Sequence, residues 1–150
     1  METKKDLIRQ SVLINAPKEK VWDVLFTDPY IRLWYAEFGE GSHAKTDWKV
    51  GSKAIFTDNS KSGLVAEVIV NQPNEKLSVE YTGVVTNGEE DYESELAKEV
   101  KGGRETYHIS ERDGGTYLEI ECNMAPEYYE EMSAAWVKAL QKVKNLAEGK

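Results

Sequence analysis

The chain has 150 residues, 40% of them hydrophobic and 31% charged, with 19 Lys and Arg against 27 Asp and Glu for a formal net charge of −8. One globular domain over residues 1–150 is expected, since a chain of this length buries roughly 68–70% of its unfolded surface. The acidic balance argues against nucleic acid and against an anionic membrane surface as partners.

The start, METKKDLIRQ, holds no apolar core of signal-peptide length, and no stretch is apolar for long enough to span a bilayer. Cys122 is the single cysteine, so no disulfide forms within the chain, and a reducing, cytoplasmic setting is expected.

Leu7 to Ile14 reads as a strand. Asn15-Ala16-Pro17 ends it, and Pro17 suits the first position of a helix, where its missing N–H costs nothing. Val21, Val24 and Leu25 then share a helical face. Thr27-Asp28-Pro29 repeats the signal: Asp28 is placed to accept from free amides, and Pro29 opens a second short helix carrying Ile31, Leu33, Trp34 and Phe38.

After a loop at Gly39 to Ser42, Asp47-Trp48-Lys49 and Ala54-Ile55-Phe56-Thr57 read as two short strands with a turn or bulge at Gly51. Leu64 to Val70 and Lys76 to Tyr81 form a hairpin across Gln72-Pro73-Asn74-Glu75. Arg104 to Ser110 and Thr116 to Met124 form another across Asp113-Gly114-Gly115. Between the hairpins, Thr86 to Lys101 is acid-rich, and Tyr92, Leu96 and Val100 recur there at a helical interval.

The last segment, opened by Pro126, is a helix with Tyr129, Met132, Trp136, Leu140, Val143 and Ala147 on one stripe. Its acids precede its lysines, Lys138 to Lys150, in the order that complements the helix dipole. A strand, two short helices, about six further strands and one long helix make an α+β layer architecture with an antiparallel sheet.

Ile14-Asn15-Ala16-Pro17, Val21-Trp22, Thr27-Asp28-Pro29 and Trp34 occur in the order seen in the helix-grip superfamily of START and birch-pollen-allergen-like proteins. Trp48 with Gly51, Val68, Pro73-Asn74 with Leu77, Tyr81, Gly115-Thr116 with Leu118, and Trp136 before Leu140 continue it. Within the superfamily, the chain most resembles the domain family named for the carboxy-terminal half of the activator of the heat-shock-protein-90 ATPase. The acidic 87–99 stretch departs from the pattern by its length.

The resemblance implies a curved antiparallel sheet of about six or seven strands around the long C-terminal helix. It also implies a cavity between them, closed at one end by the two short helices.

Alternation along each strand then selects candidate lining residues for an apolar or aromatic small molecule. They are Phe56; Leu64, Ala66 and Val68; Leu77, Val79 and Tyr81; Tyr107 and Ile109; and Leu118 and Ile120. Trp34 and Phe38 would come from the cap, Trp48 from the next strand, and Met132 and Trp136 from the long helix. The competing expectation is that these side chains pack against one another and leave no site.

His43 and His108 lie far apart. Alternation turns His108 outward beside an inward Tyr107; a one-residue slip would instead bring His108 into the interior as an acid–base partner for Tyr81. Glu119 and Glu121 share an outer face. No nucleophile elbow or phosphate-binding glycine loop is present, and the acidic 89–95 run lacks calcium-loop spacing. No metal or cofactor is expected.

Three functions follow: a small-molecule-binding domain, a protein-interaction or co-chaperone-like module as the family name implies, and a cyclase- or aromatase-type enzyme. The acidic loop, through Tyr92 and Leu96, is a candidate lid.

Overall fold

The computed structural model describes residues 6–124 and 126–149. Lys150 and the METKK start lie outside them.

The elements are β1 (Asp6–Ile14), α1 (Lys18–Phe26), α2 (Tyr30–Tyr35), β2 (His43–Lys45), β3 (Lys53–Thr57), β4 (Gly63–Gln72), β5 (Lys76–Thr86), β6 (Glu89–Asp91), α3 (Glu95–Val100), β7 (Arg104–Arg112), β8 (Gly115–Met124) and α4 (Pro126–Ala147). Among the described residues, the strands form one antiparallel sheet in the order β1-β8-β7-β5-β4-β3-β2, with the short β6 paired to β5. The sheet curls into a half-barrel, and α4 packs into it against β1 and β8, beside α1 and α2. This is the helix-grip arrangement that the resemblance implied.

Turn chemistry sets the hairpins. Asp113 and Gly114 both have positive φ, 50° and 80°, the twist that a two-residue turn between β7 and β8 requires. Asn74 supplies the left-handed residue between β4 and β5, with φ 64°.

Two bulges lie in the β4–β5 ladder, between Val65 and Ala66 and between Val68 and Val70. Bulges bend and twist the strands that carry them. The first leaves Thr82 unpaired on β5. Inward positions therefore run Leu77, Val79, Tyr81 and then shift by one to Val84.

Several local expectations need correction. Pro17 and Pro29 each precede their helix by one residue, as N-caps. Asp28 caps nothing; its carboxylate instead pairs with Arg32 Nε at 3.0 Å, one turn on. Trp48 lies outside the strands, in the 46–52 connection, with φ 62°.

β5 runs five residues beyond Tyr81 to Thr86, and β6 adds a strand within the acidic segment. Gly83 makes that addition feasible: a Cβ there would meet the Asp91 carbonyl oxygen at 2.6 Å and the Tyr92 ring at 2.7 Å. The expected helix in the acidic segment is α3, shorter than the spacing suggested and capped by Ser94, whose side chain accepts from the Ala97 amide.

Candidate functional site

The two halves of α4 face different surroundings. Its C-terminal half buries Trp136, Ala139, Leu140, Val143 and Ala147. Toward its N-terminus, Met132 is half-buried and Tyr128 is exposed. Beneath that N-terminal half lies a cavity of about 350 Å³, partly open to solvent.

Tyr35 and Phe38 close one side, Phe56 and Leu64 another, and Leu96 and Val100 of α3 a third. Tyr81, Val84, Glu105, Tyr107, Cys122 and Met124 contribute from β5, β7 and β8; Met132, Tyr128 and Trp136 come from α4. Ser42, His43, Thr57, Asp58, Ser62 and Gly63 complete the lining. The walls are mostly apolar.

The floor carries a polar cluster. β7 pairs with β5 and β8 in a register that sets Glu105 opposite Val79 and Cys122, and Tyr107 opposite Leu77 and Ile120. Glu105, Tyr107 and Ile109 therefore point the same way, into the interior.

Tyr81 Oη donates to Glu105 Oε1 at 2.7 Å, and the Tyr107 hydroxyl donates to Oε2. Tyr81 Oη is also 3.5 Å from Cys122 Sγ, and the Tyr35 side chain engages that of Tyr107.

Burial pushes the Glu105 carboxyl above its ordinary range, against the pull of the two tyrosyl hydroxyls that favour its charge. Tyr35, Tyr81 and Tyr107 are held well above the usual phenol value, first by burial and then by neighbouring groups, Glu105 among them. Burial, then the Glu105 charge, also raises the Cys122 thiol, which makes it a poor nucleophile. The hydroxyls thus stay protonated as donors, and the carboxyl is the group of variable charge.

An aromatic wall surrounds the cluster. The Trp34 and Trp136 ring centroids lie 6.1 Å apart, and Phe38 stands edge-on to Trp136 at 4.9 Å. Tyr107 is 6.0 Å from Trp136 and 6.3 Å from Trp34. The Trp34 indole N–H donates to the Val24 carbonyl at 3.0 Å, fixing α2 on α1. The bent segment after β1 is thus a plug: α2 drives Trp34 into the interior and presents Tyr35 to the cavity.

Of the residues selected from sequence, Phe38, Phe56, Leu64, Tyr81, Tyr107, Met132 and Trp136 line the cavity. Trp34, Ala66, Val68, Leu77, Val79, Ile109, Leu118 and Ile120 do not; they are buried in the packed core, and Trp48 is half-buried against it. The Trp48 ring packs 5.1 Å from Phe26 and 6.2 Å from Phe56. The reason is that α1, α2 and the C-terminal half of α4 fill the hollow over these positions.

His108 is exposed and faces Glu119 across 3.9 Å, so the register does not slip and it forms no pair with Tyr81. Glu121 pairs with Arg9 at 2.6 Å on the outer face. Tyr92 does not line the cavity; its hydroxyl donates to Glu90. No group of three His, Cys, Asp or Glu among the described residues suits a metal. No helix described is long and apolar enough to cross a membrane.

Sequence reasoning missed Glu105, Cys122, Tyr35 and Val84. For Glu105 the signal was present: it stands two residues before Tyr107, on the same face by alternation. Val84 was hidden by the bulge at Thr82.

The family model described as activator of Hsp90 ATPase homolog 1-like protein matches residues 15–148. Among functionally curated proteins, none matches the chain. The Aha1 dimer from Colwellia psychrerythraea superposes with a TM-score of 0.74 at 17% identity, covering 95% of this chain and 96% of that one. CalU16 from Micromonospora echinospora gives 0.65 at 18%, covering 99% and 86%. DynU16, a putative protein of the dynemicin biosynthetic locus, gives 0.70 at 14%, covering 97% of this chain but 48% of its own. At these identities the likeness establishes the fold.

Proposed function

This chain belongs to the activator of Hsp90 ATPase homolog 1-like family, and on that premise we propose that it is a small-molecule-binding domain taking an apolar or aromatic guest between its sheet and its last helix. The observation that carries the reading is the cavity of about 350 Å³ under the N-terminal half of α4. Its size falls at the small end of ligand pockets, about 300–1,000 Å³, and it joins apolar walls to a few convergent polar groups. Close packing elsewhere in the same helix–sheet layer supports a local void rather than a loose interior. That one structure of this shape belongs to a biosynthetic locus agrees with small-molecule work.

The test is titration with fatty acids, sterols and polyketide-like aromatics, read by tryptophan fluorescence with Trp136 as the reporter in the wall. A saturable change that shrinks in Trp136→Phe is expected. No saturable change with any of these compounds overturns the reading.

A second reading, a cyclase- or aromatase-type enzyme, draws on Glu105. A carboxyl lifted by burial inside a cavity suits general acid–base chemistry. Mass spectrometry of the guest after incubation separates the two: a binding domain returns it unchanged.

A further inference from the structure

The Glu105 carboxyl lines the cavity but has no cation beside it. No Lys or Arg is among the cavity-lining residues, and no ion pair among the described residues reaches Glu105. Tyr81 donates to one oxygen, which also takes a long 4.0 Å contact from the Cys122 thiol, and Tyr107 donates to the other. An ionised carboxylate has about four acceptor sites, so capacity remains for a guest.

Both tyrosyl hydroxyls spend their single protons on Glu105, and the cluster therefore offers a guest an acceptor rather than a donor. We propose that the cavity selects guests that join an apolar or aromatic body to a protonated amine, with the ammonium seated on Glu105 among the tyrosine rings. This rests on the reading of the cavity as a ligand site and names the class of its ligand.

Four considerations favour a cation over a neutral donor. The cavity walls and the two tyrosyl donors already replace part of the carboxylate's water, so binding dehydrates it less than it would an exposed carboxylate. The aromatic rings of Tyr81, Tyr107, Phe38 and Trp136 line the same space, and ring faces attract desolvated ammonium groups. Asp58, whose carboxyl is held below its usual range by hydrogen bonds from Ser60, adds a second negative charge to the lining. The net charge of −8 draws cations toward the protein and repels anions. A guest carboxylate would meet Glu105 with like charge and no Lys or Arg in the lining to offset it.

The experiment uses three probes that share one ring system: 1-naphthylmethylamine, 1-naphthylmethanol and 1-naphthoate. Each is titrated calorimetrically at neutral pH into the wild-type protein and into Glu105→Gln, with circular dichroism confirming that the variant is folded. The amine should bind at least about tenfold tighter than the alcohol, the scale of one hydrogen bond to a charged group, and the naphthoate should bind most weakly. In Glu105→Gln the amine should fall to the level of the alcohol, while the alcohol itself changes little.

An alcohol or naphthoate that binds the wild type as tightly as the amine overturns the proposal and leaves the cavity as a ligand site. An amine preference that survives in folded Glu105→Gln also overturns it. Failure of all three probes to bind removes the proposal together with the reading beneath it. If Glu105→Gln does not fold, the ranking of the three probes on the wild type still decides.

Discussion

The C-terminal half of α4 and its N-terminal half rest on the same sheet, yet one is sealed and the other is hollow. Over β1, the first half of β8 and the later half of β7, the cap helices bring Val21, Val24, Leu25 and Trp34 down onto Leu118, Ile120 and Val143, all essentially without solvent contact. Over the later half of β5, the start of β7 and the end of β8, the cap reaches only as far as Tyr35 and Phe38 at the cavity's side, and the half-buried Met132 is left above Tyr81, Glu105 and Cys122. The lesson is that a long helix gripped by a curled sheet is a uniform element on a non-uniform floor. What fills the gap is supplied by a third element, and that element covers only one end.

Substitutions at the two ends should therefore differ in size. Trp34→Ala at the sealed end should cost about 3–5 kcal/mol by urea denaturation, since it removes a fully buried ring and leaves the Val24 carbonyl without its indole partner. Leu118→Ala, also fully buried beneath the cap, should cost about 2–5 kcal/mol. Met132→Ala at the hollow end should cost about 1 kcal/mol or less, because water already reaches that side chain and no closed void is created. Equal losses for Leu118→Ala and Met132→Ala would erase the contrast.

The smallest effect is a difference in pH dependence. Glu105 is raised in the folded protein, so between the ordinary carboxylate range and its folded value the native state binds more protons than the unfolded chain. Its contribution to stability therefore falls as pH rises through that window. Asp47, Asp58, Glu90 and Asp91 are held low, and their contribution runs the other way, lost as pH falls. Subtracting the unfolding profile of Glu105→Gln from that of the wild type should leave a downward slope with rising pH. A flat difference would mean that the carboxyl titrates alike in both states.

Legibility in the sequence also divided between the two ends. Alternation placed Leu118, Ile120, Tyr107 and Ile109 inside and His108, Glu119 and Glu121 outside, and the helix stripe from Met132 to Ala147 was correct in every member that is buried. Alternation says which face a side chain joins; it carries no information on whether that face is covered. The sealed core and the cavity wall therefore looked alike, and Val68, Val79 and Ile120 were grouped with Tyr81 and Phe56. Glu105 was legible by the same rule but stood in a charged context, RETYHISER being only partly visible as a strand of two faces. Tyr35 and Val84 were beyond it, one because a short helix sets its direction through packing, the other because an unpaired Thr82 reverses the count.

Local chemistry determined the elements, the hairpins and the family order, because turn residues, helix caps and apolar periods act over a few neighbouring residues. Only the tertiary structure decided where the interior stays empty and which polar groups share it. Those outcomes depend on how far the Trp34 plug reaches across a bent sheet, and on strand registers that bring Tyr81, Glu105 and Cys122 together from three separate strands.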